Sequence, residues 1–280
     1  MSSLRVLLTG ATGYIAGQLL PALRERYDLS MIDVRNTDGP GRRIEGVEVL
    51  DLLHADETEI APRFSGVDVV VHCGHLEPEG EDVESRYEGE RRNLDMMQRV
   101  YRLSLAQGVR RVVAASTNQA AKWYENPYYA GLKDRVDPED YPRPDSFYGW
   151  AKAAWEPLGF LYACGSLGRK LEVAQIRIVV PREIDAALFE DEPPKRYVRE
   201  LAGYISERDL QQLFCRSIET PDIEDEHGVP FHIFYGVSNN ARRFWSITNA
   251  RKVIGYEPED DSEVRFAADI ARLLHGKDDA

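Results

Sequence analysis

The chain has 280 residues, of which 43% are hydrophobic. That suits one large α/β domain, or one domain with a small lobe, with enough apolar residues to fill a substantial core and nothing that suggests disorder. A net charge of −13 argues against nucleic acid and an anionic membrane surface as partners, while local arginines can still hold a small anionic substrate. Three widely spaced cysteines, Cys73, Cys164 and Cys215, form no metal-ligand pattern and no disulfide framework. They read as reduced thiols of a cytoplasmic protein, with no metal. The first strand begins almost at once, so no signal peptide is expected, and no apolar run is long enough to span a bilayer.

Residues 5–8 read as a buried strand and 16–26 as a helix, joined by Gly10-Ala11-Thr12-Gly13-Tyr14-Ile15-Ala16. A tight strand-to-helix turn leaves N–H groups unpaired at the positive end of the helix dipole, which suits a phosphate. Gly10 permits the turn, Gly13 clears space for a pyrophosphate, and Ala16 takes the packing position of a third glycine. Tyr14 and Ile15 belong to the same cofactor site. The second strand, 29–33, ends in Asp33, whose carboxylate is suited to the adenosine ribose hydroxyls and repels a 2′-phosphate. NAD is therefore expected, with NADP the lesser alternative through Arg35.

Residues 36–43 read as a surface loop. A third strand at 47–52 ends in Asp51, which with the Leu52 backbone faces the adenine. A fourth at 67–74 has the near-continuous apolar run of a parallel strand. It ends in Cys73-Gly74-His75, beside the cofactor ribose. A helix at 87–107 carries Asn93, which is counted with the cofactor site, and its charged residues Glu88, Glu90, Arg91 and Arg92 read as solvated surface. The fifth strand, 111–118, ends in Ser116-Thr117-Asn118. Residues 127–144 read as a loop, 147–164 as a helix and 171–180 as the sixth strand, where Ile178 joins the cofactor site. The stretch 182–199, with Pro193-Pro194-Lys195-Arg196, reads as an irregular substrate loop. A helix at 207–218, a strand at 231–237, a short helix at 249–255 and an amphipathic helix at 261–274 complete the chain.

Tyr148-Gly149-Trp150-Ala151-Lys152 puts a phenol and an ammonium four residues apart on one helix face. The ammonium favours phenolate and can hold ribose hydroxyls, so Tyr148 is a candidate base, Lys152 its partner, and Thr117 the hydroxyl that holds the substrate oxygen.

Together Thr9-Gly10-x-x-Gly13, Asp33, Asp51-Leu52, Val70-Val71-His72, Asn93, Ser116-Thr117 and Tyr148-x-x-x-Lys152 resemble the extended short-chain dehydrogenases/reductases, the superfamily of NAD-dependent epimerases and dehydratases. Pieces of the last third fit as well: Tyr204-Ile205-Ser206-Glu207-Arg208-Asp209-Leu210, and 249–258. Within it, Ser116-Thr117-Asn118-Gln119, Arg143 to Gly149 and Phe234-Tyr235-Gly236-Val237-Ser238-Asn239-Asn240 are most similar to the uronate dehydrogenase-like group. Members that oxidise glucose 6-phosphate resemble the chain in this last region too.

The resemblance implies a Rossmann-type doubly wound parallel sheet, with an NAD-binding domain over 1–180. A small C-terminal substrate-binding lobe over 181–280 follows, not fully independent. It implies oxidation of a sugar or acidic sugar at the anomeric carbon to a lactone, by a homo-oligomer packed through the helices at 87–107 and 147–164. Thr117, Tyr148 and Lys152 would be catalytic, Asn118 and Gln119 would hold sugar hydroxyls, and Arg199 would grip a carboxylate or phosphate. Lys195 and Arg196 are offered for a strong anion but read chiefly as loop charges. Gln119 stands where that group has histidine, Val180 where it has a substrate-binding serine, and Glu77, in the substrate site, where it has serine. These departures spare the cofactor site and the triad, and move the expectation away from hexuronate itself. The rival readings are a nucleotide-sugar 4-epimerase or dehydratase that uses bound NAD, and a non-catalytic NAD(P)-binding sensor.

Overall fold

The computed structural model describes residues 3–275. The elements run β1 (Arg5–Thr9), α1 (Tyr14–Arg26), β2 (Asp28–Asp33), β3 (Val47–Val49), α2 (Glu57–Ile60), β4 (Val69–His72), α3 (Val83–Ala106), β5 (Arg111–Thr117), α4 (Glu125–Tyr129) and α5 (Phe147–Ala163). They continue with β6 (Glu172–Ile178), α6 (Pro194–Gly203), α7 (Glu207–Glu219), β7 (Phe231–Gly236), α8 (Thr248–Ile254), α9 (Ser262–Arg265) and α10 (Ala267–Ile270). The seven strands form one sheet in the order β3-β2-β1-β4-β5-β6-β7, with every pairing parallel. This is the expected doubly wound fold. The chain leaves β1 toward one edge and returns to β4 for the other, so a crevice opens at the carboxyl ends of β1 and β4.

Alternation along β1 divides the core. Val6 and Leu8 face a cluster that includes Leu19 and Leu23 of α1 and Leu213 and Phe214 of α7. Leu7 faces the opposite cluster, with Met97 and Val100 of α3 and Trp155 of α5. All seven residues of β5 are buried, as befits a central parallel strand covered on both faces.

Beyond residue 180 the chain contributes to this same body. Strand β7 extends the sheet from β6, and α7 lends its apolar face to the α1 side of the core. A buried ion pair secures that edge. Arg177 on β6 donates to Glu156 of α5 at 2.7 and 2.8 Å and to the Tyr235 hydroxyl of β7 at 2.9 Å. Removing one partner of such a pair costs about 3–5 kcal/mol, because the other charge stays buried.

Several local expectations are corrected. The stretch 182–199 is not irregular: it holds a 3₁₀ turn at Ala186–Phe189 and most of α6. Pro194 stands at the first turn of α6, where its missing N–H is no loss, and Tyr197, Leu201 and Ala202 form the buried face. The loop at 127–144 is preceded by a 3₁₀ stretch, Asn118–Tyr124, and overlaps α4. Helix α3 starts four residues earlier than expected, because Asp82 accepts a hydrogen bond from the Ser85 amide at 3.0 Å and caps it. Strand β3 is only three residues long. The closing helix is broken at Phe266 into α9 and α10, followed by a π-helical turn at Ala271–His275.

Candidate active site

The β1–α1 turn needs glycine for a reason the sequence did not reveal. Gly10 has φ +72° and lies against the segment after β4, so a Cβ there would fall 2.5 Å from the Gly74 Cα and 2.6 Å from the Cys73 carbonyl carbon. The two strand-end loops thus interlock at the switch point. Gly13 caps α1 without a side-chain bond, and no acid sits in the first turn. The leading N–H groups of α1 are left open to an anion, and the cradle fits a pyrophosphate. Asp33 accepts from the Thr12 amide and the Thr12 hydroxyl, both at 2.9 Å and both through one carboxylate oxygen. The second oxygen has no partner among the described residues and suits a ribose hydroxyl. Arg35 reaches the Thr12 hydroxyl at 3.4 Å. Asp51 accepts from the Leu53 and His54 amides and from the His54 ring, so it organises its own turn.

These groups line one crevice of about 1770 Å³ at the carboxyl ends of the strands, large enough for a dinucleotide and a small substrate. Gly10, Gly13, Tyr14, Ile15, Asp33, Asp51, Leu52, Cys73, Gly74, Glu77, Thr117, Gln119, Tyr148, Lys152 and Ile178 all line it. Tyr14 and Gln18 on α1 both donate to the Pro181 carbonyl, at 2.9 and 2.8 Å. They tie the glycine turn to the chain leaving β6.

Helix α5 enters the site through two contacts. Ser146 caps it by accepting from the Gly149 amide at 3.1 Å, and the same hydroxyl donates to the Gln119 side chain at 3.3 Å. Gly149 packs on the backbone after Thr117, where a Cβ would lie 2.5 Å from the Gln119 carbonyl oxygen. This close approach sets Tyr148 against Thr117. Burial, the largest cause, pushes the Tyr148 phenol up to about 12. The Thr117 hydroxyl beside it opposes that rise, and the charges of Glu90 and Glu77 add to it. Lys152 is buried one turn on. Its ammonium donates to the Ala115 carbonyl at 3.0 Å and lies 3.5 Å from the centroid of the Trp155 ring, against 5.9 Å for Tyr148. Burial draws Lys152 down to about 7, against the raising influence of Cys73 and Glu90. The fold alone therefore keeps the phenol protonated at neutral pH. Thr117 also accepts from the Gln119 amide at 3.3 Å, whereas the Ser116 hydroxyl is buried with no partner among the described residues.

Three expected site residues lie outside the crevice lining. Asn93 is fully buried, accepts from the Leu76 amide at 2.8 Å and donates to the Leu76 carbonyl at 2.9 Å. It positions the loop after β4. Asn118 donates to Glu125 of α4 at 3.3 Å. Arg199 of α6 donates to both oxygens of Glu125, at 3.2 and 2.9 Å, and to Glu200 at 3.0 Å. Its guanidinium lies 5.5 Å from the Trp245 ring. Lys195 and Arg196 are exposed, and Arg196 pairs with Glu192 at 2.7 Å.

Glu90 overturns its reading as solvated surface. It is buried, lines the crevice, accepts from Asn93 at 3.2 Å and lies 3.2 Å from the His75 ring nitrogen. The His75 ring meets Tyr148 edge-on at 5.1 Å. The three-residue spacing of Glu90 and Asn93, on the face that carries Met97, was the available signal. Among the described residues, no group of three His, Cys, Asp or Glu is placed to hold a metal, and no helix is long and apolar enough to cross a membrane.

The family described as NAD dependent epimerase/dehydratase matches residues 6–163. An NAD-dependent glucose-6-phosphate dehydrogenase of Haloferax volcanii is 32% identical over 92% of this chain and 94% of its own length. An L-arabinose 1-dehydrogenase (NAD(P)(+)) of the same organism is 31% identical over 92% and 97%. A uronate dehydrogenase of Pseudomonas syringae pv. tomato is 30% identical over 98% and 89%. The crystal structure of uronate dehydrogenase from Agrobacterium tumefaciens shares the fold, with a TM-score of 0.71 and 22% identity over 97% of this chain and 90% of that one.

Proposed function

The chain belongs to the NAD dependent epimerase/dehydratase family, and we propose that it is a sugar dehydrogenase that oxidises the anomeric hydroxyl of a sugar or sugar acid to the lactone. The observation that carries this reading is that Thr117, Tyr148 and Lys152 line the same crevice as the Gly10–Gly13 turn. NAD, which the Gly10–Gly13 turn and Asp33 would hold, would supply the acceptor for the hydride that leaves the anomeric carbon. Tyr148 takes the hydroxyl proton and passes it to solvent, while the electrons of the O–H bond form the lactone carbonyl. Thr117 hydrogen-bonds the reacting oxygen. Lys152 orients the nicotinamide ribose and, in its charged form, favours the phenolate that burial disfavours. Gln119 and Glu77 contact sugar hydroxyls, and Asn93 fixes the loop that carries Glu77.

Asp33 selects NAD over NADP, since its open oxygen suits a ribose hydroxyl and repels a phosphate. The enzyme works in the cytoplasm as a homo-oligomer joined through α3 and α5, consistent with exposed Val83 and Leu161 on those helices.

The test is an NAD⁺-reduction screen over aldoses, uronates and sugar phosphates, with Tyr148→Phe as control. Loss of the general base lowers kcat by about 10²–10⁴-fold while NAD affinity stays within about threefold. Activity that survives Tyr148→Phe unchanged refutes the mechanism. Tightly retained NAD without net NADH formation favours a nucleotide-sugar epimerase instead.

A further inference from the structure

We infer that the substrate of this site is a neutral aldose, and that Arg199, the arginine expected to hold a substrate's anion, is taken up instead by the chain's own Glu125 outside the crevice lining. The inference rests on the dehydrogenase reading above and narrows it to a substrate class.

The first ground is the Glu125–Arg199 pair. Asn118 directly follows the substrate hydroxyl residue Thr117, and Arg199 comes from α6 on the chain leaving β6. Both turn to the same carboxylate. Glu125 receives the guanidinium through two of its nitrogens, the fork geometry in which arginine binds a free carboxylate. A third guanidinium nitrogen is committed to Glu200, and the two side chains of the main pair are largely buried, at 20% and 14% exposure. A ligand carboxylate would have to displace a carboxylate already held in place by the fold, with no gain in charge pairing.

The second ground is the charge of the wall itself. Glu77 and Glu90, whose charges act on Tyr148, line the crevice together with Glu81 and Asp145; facing them are His75, 3.6 and 3.2 Å from Glu77 and Glu90, Lys122, 3.4 Å from Asp145, and Arg86 on the lining. Arg35 lies by Thr12 at the adenosine end, and Lys152 is turned to the Ala115 carbonyl. A carboxylate or phosphate entering this field meets repulsion, whereas carboxylates accept hydrogen bonds well from the hydroxyls of a neutral sugar.

Matched pairs decide this: galactose against galacturonate, and glucose against glucose 6-phosphate. They are measured by NAD⁺ reduction and, independently of turnover, by calorimetric binding in the presence of NADH. The wild type prefers each neutral member at least tenfold in kcat/KM and in Kd. Glu125→Gln frees Arg199 and tightens galacturonate binding at least tenfold, with galactose affinity within threefold of wild type. Arg199→Gln leaves the wild-type ratio of galacturonate to galactose affinity unchanged, and it serves if Glu125→Gln does not fold. A wild type that binds either anionic sugar as tightly as its neutral partner overturns the inference. So does a Glu125→Gln protein without the gain, or a selective loss of anionic-sugar affinity in Arg199→Gln. If no sugar is oxidised, the dehydrogenase reading fails, while the binding arm still decides the inference.

Discussion

Replacing Lys152 by methionine removes an ammonium that the fold buries in the wall of the crevice, at 3% exposure. Burial carries its pKa from 10.5 down to about 7. Each pKa unit corresponds to about 1.4 kcal/mol, so in the cofactor-free protein the charged form is disfavoured by about 5 kcal/mol relative to the unfolded chain. The sign follows from proton counting. Below pH 7 both states carry the proton, and the whole penalty weighs on the folded protein. Between pH 7 and 10.5 the unfolded chain keeps a proton that the folded protein has released, so stability rises with pH. Above 10.5 the penalty is gone. Methionine fills similar space and does not titrate. Losing the hydrogen bond to Ala115 adds a nearly constant offset of about 1 kcal/mol; the Trp155 contact favours only the charged form, so it belongs with the titration and not with the offset. The difference between wild type and Lys152→Met should therefore move by about 3 kcal/mol in favour of the wild type between pH 6 and pH 9. Urea unfolding of both cofactor-free proteins at each pH measures it, and the titrations they share cancel. A difference that stays flat with pH, or moves the other way, would show that Lys152 keeps an ordinary ammonium in the fold and refute the reasoning.

Two further substitutions probe the cofactor end. Asp33→Ser removes the carboxylate held by Thr12 and leaves Arg35 beside the Thr12 hydroxyl, so the ratio of kcat/KM for NADP to that for NAD rises at least tenfold. An unchanged ratio measured with both cofactors would take cofactor choice away from Asp33. Gly10→Ala forces a left-handed backbone on an L-residue and drives a methyl into Gly74. It should cost about 3 kcal/mol of stability and abolish NAD binding; a variant with normal unfolding and a normal NAD titration would contradict the interlocked-loop geometry.

The convergence of Gly10, Gly13, Asp33, Tyr148 and Lys152 on one crevice was readable because they are close in sequence or fixed by a period. Gly10 and Gly13 shape one turn, Asp33 ends the next strand, and Tyr148 and Lys152 share a helix face by their four-residue spacing. Even the seven-strand parallel sheet follows from apolar strands alternating with amphipathic helices. The misread segments had weak or contrary local signals. Pro193-Pro194 looks like a breaker but opens α6, and Glu90 sits among charges whose outward or inward direction depends on what α3 packs against.

What the chain order cannot supply is the partner of each polar group once distant segments meet. Glu125 and Arg199 are 74 residues apart, and Tyr14 and Pro181 are 167 apart. A residue's type fixes the charge and donors it offers. Only the packing of β6, α4 and α6 around the crevice decides whether Arg199 spends them on a ligand or on Glu125. Sequence therefore placed the Gly10–Gly13 turn, Asp33 at the end of the next strand and the Tyr148–Lys152 pair, which are local patterns. Tertiary structure decided which charges stay open to a substrate, because burial and pairing are properties of the assembled surface.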